Sequence, residues 1–405
     1  MFKNAYFLMF SSLTHAGSGF FFWLITARFY TAEEVGISSA IISTMALISI
    51  FSLFGFDVSL IRFLPRREEK VELINTCFII SFCFSLFLSL IFITLVETLA
   101  PSLVIIKENK SLCLLFVIFT VVAPLKGLQT EGIFVGFRKA EYSFFQTIVT
   151  IARVGVVPFL IAYGAVGIYG SYGLTPILAF TLGMFFIKRI YPSYKIKMFV
   201  KKEVIKDIFH FSSGNYFARV LEMMPHFILP IMVINILGAE KNAYFYIAWQ
   251  ISFLVLAVPR FTSMSLLAEG SYNSEKVRKN LIKATKFILV LLTILILGIF
   301  FFGKYILLIF GEDYFKNSFW ILVVLSIGSV PFSFNVLYIS IKRIQKQVKP
   351  LIYVYGLVAV ITLSTSYLLM QSMGLIGVGF AWILGNGLVA CTIIKKLYTE
   401  RYNII

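Results

Sequence analysis

The stretch DIFHFSSGNYFARVLEMMPHFILPIMVINILG, residues 207–238, decides how the chain is read. It is apolar and long enough to cross a bilayer, whose hydrocarbon core of about 30 Å needs about 20 helical residues. It nevertheless carries Arg219, Glu222 and His226. A helix turns about 100° per residue, so Arg219 and His226 lie nearly on one face. Glu222 sits about 60° off that face, within i,i+3 reach of Arg219. If the span starts near Ile208, Arg219 is about 16 Å deep at about 1.5 Å per residue. A charge there costs roughly 2.5–3.5 kcal/mol on insertion scales, so it is expected to face protein or water and to serve function. The alternative is a structural Arg–Glu pair that locks helix packing.

Outward from this stretch the chain keeps the same character. Of 405 residues, 59% are hydrophobic and only 14% charged, against about 25% charged in soluble domains. Apolar runs long enough to span recur along the whole length, which makes the chain a polytopic helical membrane protein. A β-barrel would alternate every second residue and is excluded. The N-terminus has no small-residue cleavage site after a short apolar core, so it is expected to be a first span and not a removable signal. The net charge of +17 is expected to reflect topology and contact with anionic membrane lipids, not nucleic acid. Cys77, Cys83, Cys113 and Cys391 lie in apolar spans without metal spacing and read as small core residues.

About twelve spans are expected, near 5–27, 35–56, 72–96, 111–134, 141–163, 169–188, 208–236, 244–267, 281–302, 318–341, 350–370 and 376–394. The even-numbered connections and the ends then hold Arg62, Arg66, Arg67, Lys70, Arg138, Lys139, the block Lys188 to Lys206, Lys276 to Lys286, Lys342 to Lys349, Lys395 and Lys396. The odd-numbered connections hold only Arg28, Lys107, Lys110, Lys241, Lys304 and Lys316. The positive-inside rule therefore places both termini in the cytoplasm of a multi-pass plasma (inner) membrane protein. The outer connections are too short for an extracellular catalytic domain.

The two halves resemble each other. TAEEVG at 31–36 matches GAEKNA at 238–243, and EKV at 69–71 matches EKV at 275–277. GAVGIYG at 164–170 matches GLIGVGF at 374–380, and KRIY at 188–191 matches KKLY at 395–398. Ordered matches at one offset indicate duplication. The expected fold is all-α, with two six-helix lobes related by a pseudo-twofold along the membrane normal. Residues 1–190 form the first lobe, 191–207 a basic cytoplasmic linker and 208–405 the second lobe. In the linker region Phe199, Val200, Val204, Ile205 and Ile208 fall on one side of a helix suited to an anionic leaflet, though a plain solvated linker reads equally well.

Two more spans carry a cation. Arg153, in TIVTIARVGVVPFLIAYG, lies about 18 Å from the inner end of its span, and Lys126, in VVAPLKGLQTEGIF, about eight residues from the inner end. With Arg219 they are expected to converge on a hydrated cleft between lobes and to bind an anion. Arginine grips phosphate through a planar fork and lysine as a point charge. Lys126 could instead pair with Glu131 or Glu141, or snorkel. Arg28 reads as an outer gate or an interfacial anchor. Glu222, His15, His226, Asn335 and Asn386 are the candidates for coupling to an ion. No Walker motif, no HExxH and no Cys/His ligand set occurs, so neither ATP hydrolysis nor a metal centre is expected.

The run ARFYTAEEVGISSAIIS at 27–43, then FSLFGFDVSLIRFLP at 51–65 and a basic loop, resembles the polysaccharide-export branch of the multidrug/oligosaccharidyl-lipid/polysaccharide (MOP) flippases. The Wzx-type O-antigen flippases belong to that branch. The resemblance implies a polyprenyl-diphosphate-linked oligosaccharide, moved from the cytoplasmic to the outer leaflet by alternating access for cell-surface polysaccharide biosynthesis. It implies a central cationic cavity, and no enzyme or cofactor; a coupling ion, if used, is H+ or Na+. Partners would be the lipid-linked oligosaccharide, membrane lipids and other glycan-assembly membrane proteins. Three rivals remain: an ion-coupled multidrug (MATE-like) antiporter, a membrane-embedded polysaccharide polymerase or ligase, and a non-transporting scaffold for a glycan-assembly complex. The first should favour buried acids over cations, and the second needs a large outer loop.

Overall fold

In the computed structural model, residues 2–197, 202–272 and 277–399 are described, and no strand occurs among them. The side chains of 202–213 and 395–399 lie outside the described set, and with them the expected apolar face at 199–208. The long helices are α1 (Phe2–Phe29), α2 (Ala32–Leu53), α3 (Lys70–Leu99), α4 (Lys110–Gly136), α5 (140–163) and α6 (Gly164–Ile190), with short helices at Phe56–Phe63 and Ile105–Glu108 between them. They continue as α7 (Lys202–Leu237), α8 (Ala239–Tyr272), α9 (Val277–Phe310), α10 (Glu312–Ile344), α11 (Lys349–Met373) and α12 (Leu375–Thr399).

By length and composition, 11 helical stretches can cross a membrane, and one of them, Ala140–Ile190, has 51 residues. Straight, it would measure about 76 Å, more than twice a bilayer core. It breaks at Gly164, whose φ of 53° and ψ of −134° form a backbone state essentially restricted to glycine. Beyond that break α6 folds back on α5, which brings the described span-length helices to about twelve. Gly374, at the start of α12, has φ 59° and ψ −138°. The repeat GAVGIYG/GLIGVGF thus encodes the same reversal twice.

The helices are apolar on the outside. On α9, Phe287, Val290, Ile294, Leu297 and Phe301 are exposed, and their spacing puts them on one stripe. Ile288, Leu292, Ile299 and Gly303 on the other side are buried. In water such a stripe would be a large liability, whereas lipid tails solvate it. Small polar residues go inward instead: Ser81, Ser85 and Ser89 of α3 are buried one turn apart. Their size lets helices approach closely, and Ser85 and Ser89 donate to carbonyls of their own helix, which spares those two hydroxyls a lone donor in an apolar setting.

The chain divides into two compact units, Met1–Tyr216 and Phe217–Ile405. In the first, α2 packs on α3, α4 and α6, α3 on α4, α4 on α6 and α5 on α6. In the second, α8 packs on α9 and α10, α9 on α10, α10 on α12 and α11 on α12. Five of these pairings recur across the sequence repeat, and the packing of α2 on α6 belongs to the first unit. The boundary between units falls inside α7. The start of the expected linker is tied into the first unit: Tyr194 is buried and donates from its hydroxyl to Asn75 Oδ1 at 2.8 Å, while Asn75 Nδ2 donates to the Lys195 carbonyl at 2.9 Å.

Candidate functional site

In the first unit α5 loses regular α-helical geometry around Arg153. Its segments Ala140–Val149 and Ala152–Val156 meet at a turn, and Pro158 follows at the start of a 3-10 stretch, Val157–Tyr163. Arg153 is only 4% exposed. Its guanidinium lies 4.8 Å from the centre of the Tyr172 ring on α6 and 5.3 Å from that of Phe22 on α1. One terminal nitrogen donates to Ser18 Oγ at 3.1 Å, and Nε is buried without a hydrogen-bond partner. Among the described residues no carboxylate lies within ion-pair distance of it. Two aromatic faces supply part of the missing solvation through their quadrupoles.

Lys126 and His15 belong to the same neighbourhood. Both Lys126 and Arg153 lie within electrostatic reach of His15 on α1, and Arg153 and Glu131 within reach of Lys126. The expected Lys126–Glu131 association therefore coexists with the Lys126–Arg153 cluster. Glu141 turns to Lys139 instead, at 3.8 Å. Lys126 stands at the edge of a π-helical turn, Leu128–Ile133, two residues after Pro124. That turn is held by a buried polar lock. Gln146 Nε2 donates to Gln129 Oε1 at 2.7 Å and to the Ala179 carbonyl at 2.8 Å, and Gln146 Oε1 accepts from Thr130 at 2.7 Å. The lock joins α4, α5 and α6, so the backbone carrying Lys126 is set by three helices. π turns of this kind recur at functional sites.

In the second unit Glu222 faces Arg260 of α8, with 3.7 Å between Glu222 Oε1 and an Arg260 terminal nitrogen. Glu222 also lies within electrostatic reach of Tyr355 on α11. The Arg260 guanidinium lies 4.4 Å from the Phe253 ring centre and 5.5 Å from that of Phe332. His226 Nδ1 accepts a hydrogen bond from Trp249 Nε1 at 2.7 Å, and its ring packs on Phe253. The ring proton of a neutral His226 is thereby confined to Nε2. Asn335 and Asn386 are brought together: Asn335 Nδ2 donates to the Asn386 carbonyl at 3.1 Å and to its Oδ1 at 3.2 Å. Both are buried and join α10 to α12. Arg219 is half-buried on α7, and Arg28 is exposed in the last turn of α1. Among the described residues no His/Cys/Asp/Glu group has the makings of a metal site.

Arg260 is the functional candidate that the span-by-span reading of charge passed over. It follows Pro259 inside the apolar run of α8, so the criterion that selected Arg153 and Arg219 also selects it. The aromatic partners are a different matter, because Phe22 and Tyr172 reach Arg153 from distant parts of the chain and no local pattern marks them.

Residues 1–267 match the family described as "Polysaccharide biosynthesis protein". The chain belongs to this family. Over 406 aligned residues it is 24% identical to the Shigella flexneri protein named "Putative O-antigen transporter", with 93% of each covered. Its fold is that of the MOP superfamily. A MATE family multidrug resistance transporter in an inward-facing conformation superposes with a TM-score of 0.71 at 16% identity, over 97% of this chain and 96% of that one. The lipid II flippase MurJ in an inward closed conformation gives 0.74 at 13% identity, over 98% and 88%. A Pyrococcus furiosus MOP superfamily transporter, whose binding pocket is described as having reverse polarity, gives 0.63 at 14% identity, over 97% and 93%. The resemblance read from residues 27–43 and 51–65 thus holds at the level of family and fold. This member of the polysaccharide biosynthesis family is a multi-pass membrane protein.

Proposed function

We propose that the protein is a flippase that moves a polyprenyl-diphosphate-linked oligosaccharide from the cytoplasmic to the outer leaflet of the plasma (inner) membrane by alternating access. Both termini face the cytoplasm in this reading, as the distribution of Lys and Arg suggests. Family membership supports the polysaccharide context. The Shigella flexneri relative, named for O-antigen transport, and the MurJ fold likeness support a lipid-linked cargo. The observation that carries the site is Arg153, a buried guanidinium with an unpartnered Nε and no carboxylate.

A diphosphate supplies what that site lacks. Its oxygens accept parallel N–H bonds from a guanidinium edge, and the Phe22 and Tyr172 rings beside Arg153 restrain that edge. Lys126 adds a point charge from α4, and His15 lies alongside. Arg219 is proposed as a further cation contact and Arg28 as an outer anchor. Glu222, His15, His226, Asn335 and Asn386 remain candidates for coupling to H+ or Na+. Cationic drugs are the wrong cargo for such a site, since Arg153 and Lys126 would repel them. The test is complementation of a flippase-deficient strain. Arg153→Gln is expected to abolish surface glycan while membrane protein level holds; full complementation by this variant would defeat the assignment.

A further inference from the structure

Arg260 has features that a plain ion pair does not explain. Its separation of 3.7 Å from Glu222 is beyond the 2.7–3.2 Å range of an N–H···O bond. Its Nε is buried and has no hydrogen-bond partner among the described residues. Two phenyl rings, Phe253 and Phe332, lie against the guanidinium, and its N–H groups remain to donate. Those rings are themselves fixed. Phe332 packs on Trp382, Trp382 on Trp249 and Trp249 on His226, which closes back on Phe253. A guanidinium fork held rigidly, with one donor unspent and a loosely placed acid beside it, is preorganised for a better acceptor than the acid it has. The Arg260 side chain is 25% exposed, so a ligand can reach it.

We infer that Arg260 is an oxyanion-binding residue in the second unit, and that Glu222 occupies it competitively when no anion is bound. The ligand class is a phosphate or carboxylate oxyanion: the diphosphate of the cargo or an acidic sugar within its glycan. This rests on the flippase reading above and adds a residue and a competitor to it. Glu222 then makes binding selective, since an uncharged ligand cannot displace it from the guanidinium.

The test is ligand titration of the full chain in nanodiscs, read by quenching of tryptophan fluorescence, with Trp249 and Trp382 in the ring cluster as reporters. Farnesyl diphosphate is the phosphate probe, glucuronate the carboxylate probe and farnesol the uncharged control. Arg260→Gln is expected to weaken binding of one anionic probe by about tenfold or more, the scale of a hydrogen bond to a charged group. Glu222→Gln is expected to tighten binding of that same probe by several-fold, and the double variant to behave as Arg260→Gln. Arg260→Lys, which keeps charge but not the fork, should fall between. Whichever anion responds identifies the source of the oxyanion. If Glu222→Gln weakens binding as Arg260→Gln does, the two form a structural pair and the inference is overturned. If Arg260→Gln binds farnesyl diphosphate and glucuronate like the wild type while Arg153→Gln loses farnesyl diphosphate, this inference falls and the flippase reading stands. If the wild type binds neither anion, both fall.

Discussion

Replacing Arg153 with methionine separates the cost of this residue from its use. Methionine matches much of the aliphatic stem and carries no charge. The guanidinium gains two ring contacts, at 4.8 and 5.3 Å, and one hydrogen bond of 3.1 Å to Ser18. Each desolvated cation–π contact is worth up to about 2 kcal/mol, and the charged hydrogen bond about 1.5–3 kcal/mol. Against that stand roughly 2.5–3.5 kcal/mol for a charge in the bilayer and about 1–3 kcal/mol for the unpartnered Nε. The two sides nearly cancel. Arg153→Met is therefore expected to keep the thermal midpoint within a few degrees of the wild type, or to raise it, as replacements of buried charge by apolar groups can do. Transport should behave otherwise. Losing a charge-assisted contact to phosphate costs roughly 1.5–3 kcal/mol, or about 10–100-fold in rate or affinity. The assays are size-exclusion thermal melting of detergent-purified protein and glycan export in cells. A variant that unfolds well below the wild type would make Arg153 a structural residue. One that transports normally would refute the phosphate contact.

Other perturbations address the scaffold. Gln146→Leu removes three hydrogen bonds across α4, α5 and α6 and takes the donor from Gln129 Oε1; it is expected to cost about 2–4 kcal/mol in a melting experiment, with no gain elsewhere. Gly374→Ala meets open space but keeps φ at 59°, so backbone strain of about 1–3 kcal/mol is the expected loss. Gly164→Ala should lose more, because its new Cβ would lie 2.7 Å from Glu34 Oε1. That carboxylate closes the capping box of α2 with Thr31, and the excess should vanish when Glu34 is already alanine. For topology, single cysteines at Ser102 and Lys346 are expected to react with an impermeant maleimide from opposite sides of intact cells, Ser102 from outside.

Much of the fold was legible because lipid imposes a coarse rule. Apolar runs of span length had to be helices, and the recurring GAVGIYG/GLIGVGF pattern marked the start of the last helix in each half. The Gly164 and Gly374 reversals show why those residues recur: the backbone state at each break excludes a side chain. Arg153 was legible for the same reason, since charge inside an apolar run is conspicuous. What surrounds it was not. Phe22 and Tyr172 look like any membrane aromatics until α1, α5 and α6 are packed. The π turn at Leu128–Ile133 depends on Gln146 and on the α6 backbone, which no local periodicity records. Glu222 was expected within i,i+3 reach of Arg219, yet it reaches Arg260 of the neighbouring helix. Helix geometry sets which residues share a face, and only tertiary packing selects the partner. The tie between Tyr194 and Asn75 likewise joins residues far apart in the chain.

The most direct measurement follows a labelled polyprenyl-diphosphate oligosaccharide across the bilayer of proteoliposomes, scored by the accessibility of its sugars to an added glycosidase. Wild-type protein should render the protected fraction accessible well above the rate of protein-free vesicles, and Arg153→Gln should return that rate to the protein-free value. Equal rates for wild type and empty vesicles, or for wild type and Arg153→Gln, would contradict translocation through a guanidinium–diphosphate contact.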